Sequence, residues 1–190
     1  MPIQIAGAIF QYAKLRMLQF YYDFLIKYVD EADFQMMYMD TDSMYMAITA
    51  DKFDDIIKPE MKQEYEEIKT LWFPQTKYDK RTAGLFKVEY EGTAMVCLAP
   101  KLYYCMGHDD KFSCKGTQKK NNVSIINFNN YKKCLDTNES LQVENTGMRY
   151  LNGSVCWYSQ TKTGLTAKYN KRHLMEDRIT TYPLMVGDYE

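Results

Sequence analysis

Two apolar runs, residues 34–39 and 43–48, are joined by nothing more than Asp40-Thr41-Asp42. Runs of that length, rich in Met, Tyr, Phe and Ile and broken only by this acidic tripeptide, predict a hairpin of buried strands with both carboxylates at or beside its turn. Side chains alternate along a strand, so Asp40 and Asp42 are expected on one face with Thr41 turned away. Carboxylates held that close repel, and their neighbours are Met and Tyr rather than Lys or Arg. Without a cation one of them would take up a proton. A divalent ion removes the conflict, because Mg²⁺ accepts one or two carboxylates and completes its octahedron with water and substrate phosphates. The same residues also form ordinary turns, and on spacing alone the plain turn is the commoner reading. An EF-hand loop is excluded, since Met44 and Met46 stand where oxygen ligands would be required.

Around this hairpin the pattern predicts a mixed α+β chain. Ile5, Ile9, Tyr12, Met17, Phe20, Phe24 and Tyr28 recur at helical spacing over residues 3–29, with Pro2 suited to the first turn. The hairpin is expected to pack on that helix. A second helix is expected over 51–72, followed by strands at 85–90, Ala94–Ala99 and Leu102–Met106 punctuated by Gly92 and Pro100. A short helix over 124–134 and a hairpin around Asn152-Gly153, joining 149–150 to 154–158, complete the reading.

Net charge is −1 overall but unevenly placed. Residues 1–99 hold 11 Lys or Arg and 16 Asp or Glu, a net of −5; residues 100–190 hold 13 and 9, a net of +4. An acidic half beside a basic half suits metal or phosphate chemistry next to polyanion binding. Lys111, Lys115, Lys119 and Lys120 interleave with Phe112 and Gly116, and Lys168, Lys171 and Arg172 with Tyr169, as on a phosphate-tracking surface. The five cysteines form no C-x-x-C pair, which argues against zinc or a disulfide framework and for reduced thiols. His108 and His173 stand alone, without ligand partners in the sequence. No apolar run spans a bilayer and no signal peptide opens the chain, so the expectation is an intracellular protein with no membrane partner.

Tyr38-Met39-Asp40-Thr41-Asp42-Ser43 resembles the Y-x-D-T-D-S motif C of family B DNA polymerases. Ala13-Lys14-Leu15-Arg16-Met17 is similar to the palm helix that runs into that motif. Leu98-Ala99-Pro100-Lys101-Leu102-Tyr103-Tyr104 resembles the K-x-Y element that contacts the primer, and Phe112-Ser113-Cys114-Lys115-Gly116 the Lys-Gly region leading to the thumb. Residues 161–184, with Tyr169-Asn170-Lys171-Arg172 and Ile179-Thr180-Thr181-Tyr182-Pro183-Leu184, look like the C-terminal tail of protein-primed polymerases from Polinton-type and adintovirus-like elements. The pieces occur in family order across nearly the whole chain.

The resemblance implies a partial palm over 1–110 (helix, acidic hairpin, antiparallel strands) and a thumb-like, DNA-contacting segment over 111–190. It implies a DNA-directed DNA polymerase of a viral or transposon-like element, acting in the nucleus or at a viral replication site. Asp40 and Asp42 would be its catalytic Mg²⁺ or Mn²⁺ ligands; Thr41, Lys101, Tyr103, Lys115 and Gly116 would touch DNA. Primer-template, dNTP and a terminal priming protein are the implied partners. Lys101 and Tyr103 are expected on one strand face, with Leu102 turned inward. The chain departs from the family in lacking the motif A carboxylate, the motif B lysine helix and the exonuclease motifs, so in isolation it is expected to be inactive. An inactive relic or accessory DNA-binding module is the alternative.

Overall fold

The computed structural model describes residues 2–168, 172–177 and 180–183. They form a mixed α+β chain with small antiparallel sheets, divided into two units, Met1–Glu91 and Gly92–Glu190. Residues 92–99 carry no charge, so the acidic and basic halves coincide with these units: −5 for the first, +4 for the second.

The first unit opens with α1 (Ile3–Gln19), which runs through a π-helical turn at Phe20–Leu25 into the short α2 (Ile26–Tyr28). A π turn inserts an extra residue into the helical repeat and so rotates the downstream side chains about the helix axis. The single expected stripe is therefore split. From Phe20 onward Phe20, Phe24, Leu25, Tyr28 and Val29 are buried, whereas within α1 Met17 alone is buried and Ile5, Ile9 and Tyr12 are at least half exposed.

The hairpin forms as expected from β1 (Phe34–Asp40) and β2 (Ser43–Ile48), with Asp40 opposite Ser43. Phe34, Met44, Met46 and Ile48 pack against the cluster of Phe20, Phe24, Leu25 and Tyr28, seating the hairpin on the downstream part of the helix. The second expected helix is broken. Pro59 has no N–H and excludes the helical region for the residue before it, so Lys58 is extended at ψ 130°. Ile57 instead bridges to Val29, and what remains of the helix is α3 (Lys62–Ile68) between 3₁₀ turns. Residues 85–90, expected as a strand, join no ladder. Phe86 is held there by an N–H donated to the Trp72 carbonyl (2.7 Å) and by stacking on Phe20 at 4.2 Å.

In the second unit β3 (Ala94–Ala99), β4 (Leu102–Met106) and β5 (Lys111–Cys114) form one sheet in that order. The two units divide at 91/92, and β4 and β5, which lie on either side of residue 110, pair with each other within the second unit. The expected helix is α4 (Phe128–Thr137). It starts later than 124 because Asn127 caps it, its side chain accepting from the Asn130 N–H at 2.9 Å. Its Tyr131 and Cys134 pack against Val96, Leu98, Leu102, Tyr104, Cys114 and Leu165.

The Asn152-Gly153 turn joins strands far longer than expected, β6 (Leu141–Leu151) and β7 (Ser154–Leu165). Both turn residues have positive φ, 50° and 82°, as a type I′ turn demands. The short strands β8 (Arg172–Leu174) and β9 (Thr181–Pro183) pair with each other. Of the resemblance at the C-terminus, Tyr169, Asn170, Lys171, Ile179 and Leu184 lie outside the described residues. Among the described residues no helix is long and apolar enough to cross a membrane.

Candidate functional site

The acidic turn is built in two residues. Asp40 ends β1, Thr41 adopts a left-handed φ of 54°, and Asp42 returns the chain by donating its N–H to the Asp40 carbonyl at 2.7 Å. The Ser43 hydroxyl donates to the same carbonyl at 3.1 Å. A β-branched residue is strained at positive φ, so the tight join that keeps β1 and β2 in register is made against local preference. Alternation along a strand stops at Asp40. Asp40 and Asp42 are therefore linked through the turn and not through the pleat.

The Asp40 carboxylate is half buried and accepts two hydroxyls, from Thr41 at 3.1 Å on Oδ1 and from Tyr38 at 3.5 Å on Oδ2. Tyr38 is itself positioned across the ladder by Tyr45, with ring centroids 5.8 Å apart. Asp42 is exposed. Beside the turn lies a groove of about 340 Å³, lined by Phe10, Gln11, Lys14 and Met17 of α1 and by Met39 and Thr41. Arg16, on the same helix, serves the fold instead. Its guanidinium stacks on Trp72 at 3.9 Å and donates to the carbonyls of Gly84 (2.8 Å) and Leu71 (2.6 Å).

Two carboxylates on one tight turn, Asp40 half buried and Asp42 exposed to solvent, are the kind of donor set that Mg²⁺ or Mn²⁺ can accept, since these ions take few protein ligands. Among the described residues no group of three or more His, Cys, Asp or Glu gathers as a fuller metal cage.

The second unit brings the remaining expected residues to one sheet corner. Lys101 is not on a strand face as expected. Pro100 cannot donate to a ladder, so Pro100-Lys101 forms the turn between Ala99 and Leu102, with Lys101 at φ 62°. Leu102 does turn inward, at 6% exposed, and Tyr103 lies half buried in the central strand, opposite Cys97 and Ser113. The Lys101 carbonyl accepts from the Ser113 hydroxyl and from the Lys115 N–H, both at 3.0 Å, which ties the two lysines' backbones together. Gly116 follows at φ 77°, its carbonyl accepting from Asn145 at 2.7 Å. A Cβ there would stand 3.4 Å from the Lys162 ammonium, so Lys162 joins this corner. The sequence pattern hid it, because Lys162 lies 46 positions after Gly116. Lys119 is engaged with Phe112, over its ring at 4.5 Å and donating to its carbonyl at 3.1 Å.

No protein-family model matches this sequence, no curated protein does, and no solved structure matches the chain.

Proposed function

We propose that the chain is part of a DNA-directed DNA polymerase of the protein-primed family B type, with Met1–Glu91 contributing a portion of the palm and Gly92–Glu190 a thumb-like DNA-contacting portion. The observation that carries this reading is the two-residue turn that brings Asp40 and Asp42 to the tip of a hairpin packed on a helix. The motif resemblance supplies the chemistry. Asp40 and Asp42 would hold the metal, while the hydroxyls of Tyr38 and Thr41 orient the Asp40 carboxylate. Held by Asp40 and Asp42, such an ion would supply stabilisation of the negative charge on the oxygens of a phosphoryl transfer between a dNTP and a primer 3′-hydroxyl. Lys101 and Lys115 would grip the primer-template backbone, with Tyr103 beside them. The exposed Ile3, Ile5, Ile9, Phe10 and Tyr12 of α1 also fit a helix that a complete palm would cover.

Mn²⁺ titration followed by electron paramagnetic resonance tests the site. Wild type is expected to bind, and Asp42→Asn to weaken binding by about tenfold or more, since a hard cation loses one of two anionic ligands. Unchanged binding in Asp42→Asn removes the metal site. Template-dependent primer extension by the 190-residue chain is expected to be absent. Extension that disappears in Asp42→Asn would show the site to be sufficient as it stands.

The alternative of an inactive relic or accessory DNA-binding module is favoured by one observation: no third metal-ligating side chain joins the pair among the described residues. DNA binding without Asp42-dependent Mn²⁺ binding would select it.

The lysine corner has its own test. Contacts to phosphate release counterions, so duplex affinity should fall steeply with salt and depend little on sequence. Lys101→Ala is expected to weaken binding to unrelated duplexes equally and to lower the log–log salt slope by about 1. Equal slopes for variant and wild type would take Lys101 out of the site.

A further inference from the structure

The solvent side of α1 carries a repeat that its own unit leaves bare. Ile5, Ala8, Tyr12, Leu15 and Gln19 follow one another at intervals of 3, 4, 3 and 4, and Tyr22, inside the π turn, extends the series. That alternation is the spacing of a seam by which one helix meets another. The core stripe is a different one, holding Met17 and running on to Phe20. On the seam Ile5 is 52% exposed, Tyr12 72%, Leu15 49% and Tyr22 63%, and the flanking Ile9 and Leu18 are exposed as well. An apolar helix face of this length, open to water, is a surface for a partner.

We propose that this seam is the interface of an antiparallel homodimer, two copies of α1 packed across a two-fold axis at the level between Ala13 and Lys14. In that register Tyr12 meets Leu15 of the partner subunit, Ile5 meets Tyr22 of the partner subunit and Gln19 meets Ala8 of the partner subunit. Two layers thus set a ring against a branched aliphatic chain, and the third a long residue against a small one, so the seam complements itself. A parallel pair would stack Gln19 on Gln19 and Ala8 on Ala8, burying amides beside a gap. It would also align the two helix dipoles, which the antiparallel pair opposes. Charge selects a second copy over other occupants. No acidic residue lies in α1, Arg16 is engaged by Trp72 and the Gly84 and Leu71 carbonyls, and Lys14 lies outside the seam series, so no like charges meet across it. The unit's net −5 repels nucleic acid and anionic lipid. Area agrees. Ile5, Ile9, Tyr12, Leu15, Leu18 and Tyr22 together offer about 600 Å² per copy at their exposures, the lower end of specific protein interfaces. This is the helix that a complete palm would cover; in the 190-residue chain a second copy covers it, whether or not the polymerase reading holds.

Sedimentation velocity of the full chain over a concentration series, with a thiol reductant and without metal or DNA, tests the dimer. Because neither is present, failure of Asp42-dependent Mn²⁺ binding leaves the dimer standing. Wild type is expected to pass from monomer to one dimer species and no further, as a closed two-fold interface requires. Leu15→Lys should raise the self-dissociation constant at least about tenfold, because each copy then brings an unpaired ammonium against an apolar ring. Mixing Leu15→Lys with Tyr12→Glu should restore association, since position 12 of one copy faces position 15 of the other. Wild type that stays monomeric throughout, or that forms open-ended oligomers, overturns the proposal. So does a mixture no more associated than either variant alone, or a dimer that Trp157→Ala, on the exposed face of β7, disperses while Leu15→Lys leaves it intact. Co-sedimentation with phosphatidylcholine vesicles that Tyr12→Glu abolishes overturns it too. The wild-type series needs no variant, so misfolding of Leu15→Lys cannot shelter the idea.

Discussion

Phe24→Ala is expected to destabilise the first unit by about 3–5 kcal/mol, enough to exhaust much of the stability of a unit this size. Phe24 is fully buried and stands among six other rings: Phe20, Tyr28 and Trp72 at 5.2 Å, Phe73 at 5.4 Å, Tyr65 at 6.1 Å and Phe53 at 6.2 Å. These rings come from the π turn, the broken helical segment and the stretch after it, so no single element can move inward to fill the void. Trp72 borders the cluster and reports on it. Urea unfolding followed by Trp emission should show the midpoint falling sharply, and Phe24→Leu, which keeps most of the volume, should cost far less. A midpoint shift in Phe24→Ala no larger than in Phe24→Leu would mean that the ring cluster is not the core it looks like.

The second large effect is expected at Asn122, the one buried polar residue among those described in the Gly92–Glu190 unit, at 2% exposed. Its amide donates to the carbonyls of Gln118 (2.8 Å) and Glu144 (2.7 Å), and its oxygen accepts the Glu144 N–H at 2.9 Å. It thus fastens a 3₁₀ turn to the inner end of β6. Asn122→Ala leaves three backbone groups without these partners, and at 1–3 kcal/mol for each orphaned group the loss should be about 3 kcal/mol or more. Hydrogen exchange is the sharper readout. The Glu144 amide should lose protection in Asn122→Ala while amides of β3 and β4 keep theirs until global unfolding. Retained protection at Glu144 would show that water or a neighbour replaces the asparagine.

Much of this fold was legible in the residues because short-range chemistry decides it. The two apolar runs around Asp40-Thr41-Asp42 and the Asn152-Gly153 dipeptide each specify a turn that little else can satisfy. The bounds of β3 and β4 follow from Pro100 and from the apolar residues on either side. The misses have long-range causes. β5 carries only Phe112 and Cys114 as apolar residues and is a strand because β4 offers it a free edge. The upper part of β6, Gln142 to Thr146, is polar apart from the buried Val143 and is held largely by Asn122, Gln118 and β7. The π turn left no mark on the spacing of apolar residues, since Phe20, Phe24 and Tyr28 keep a plain i, i+4 interval. For the candidate site, the acidic turn could be read directly. The approach of Lys162 to Gly116 could not, being made by strand pairing across a long loop.

The two-residue length of the acidic turn also restricts how this gene can change. Met44, Met46 and Ile48 reach the core because Asp40 faces Ser43 across the join, and strand side chains obey a strict odd–even rule. Adding or deleting one codon between Asp40 and Ser43 would reverse that parity. Three core side chains would turn to water, and Tyr45 and Ala47 would turn inward in their place. The spacing of the carboxylates and the packing of the hairpin are thus a single inherited quantity. Point substitutions can sample the acids freely, but a length change at this spot is read by the core first.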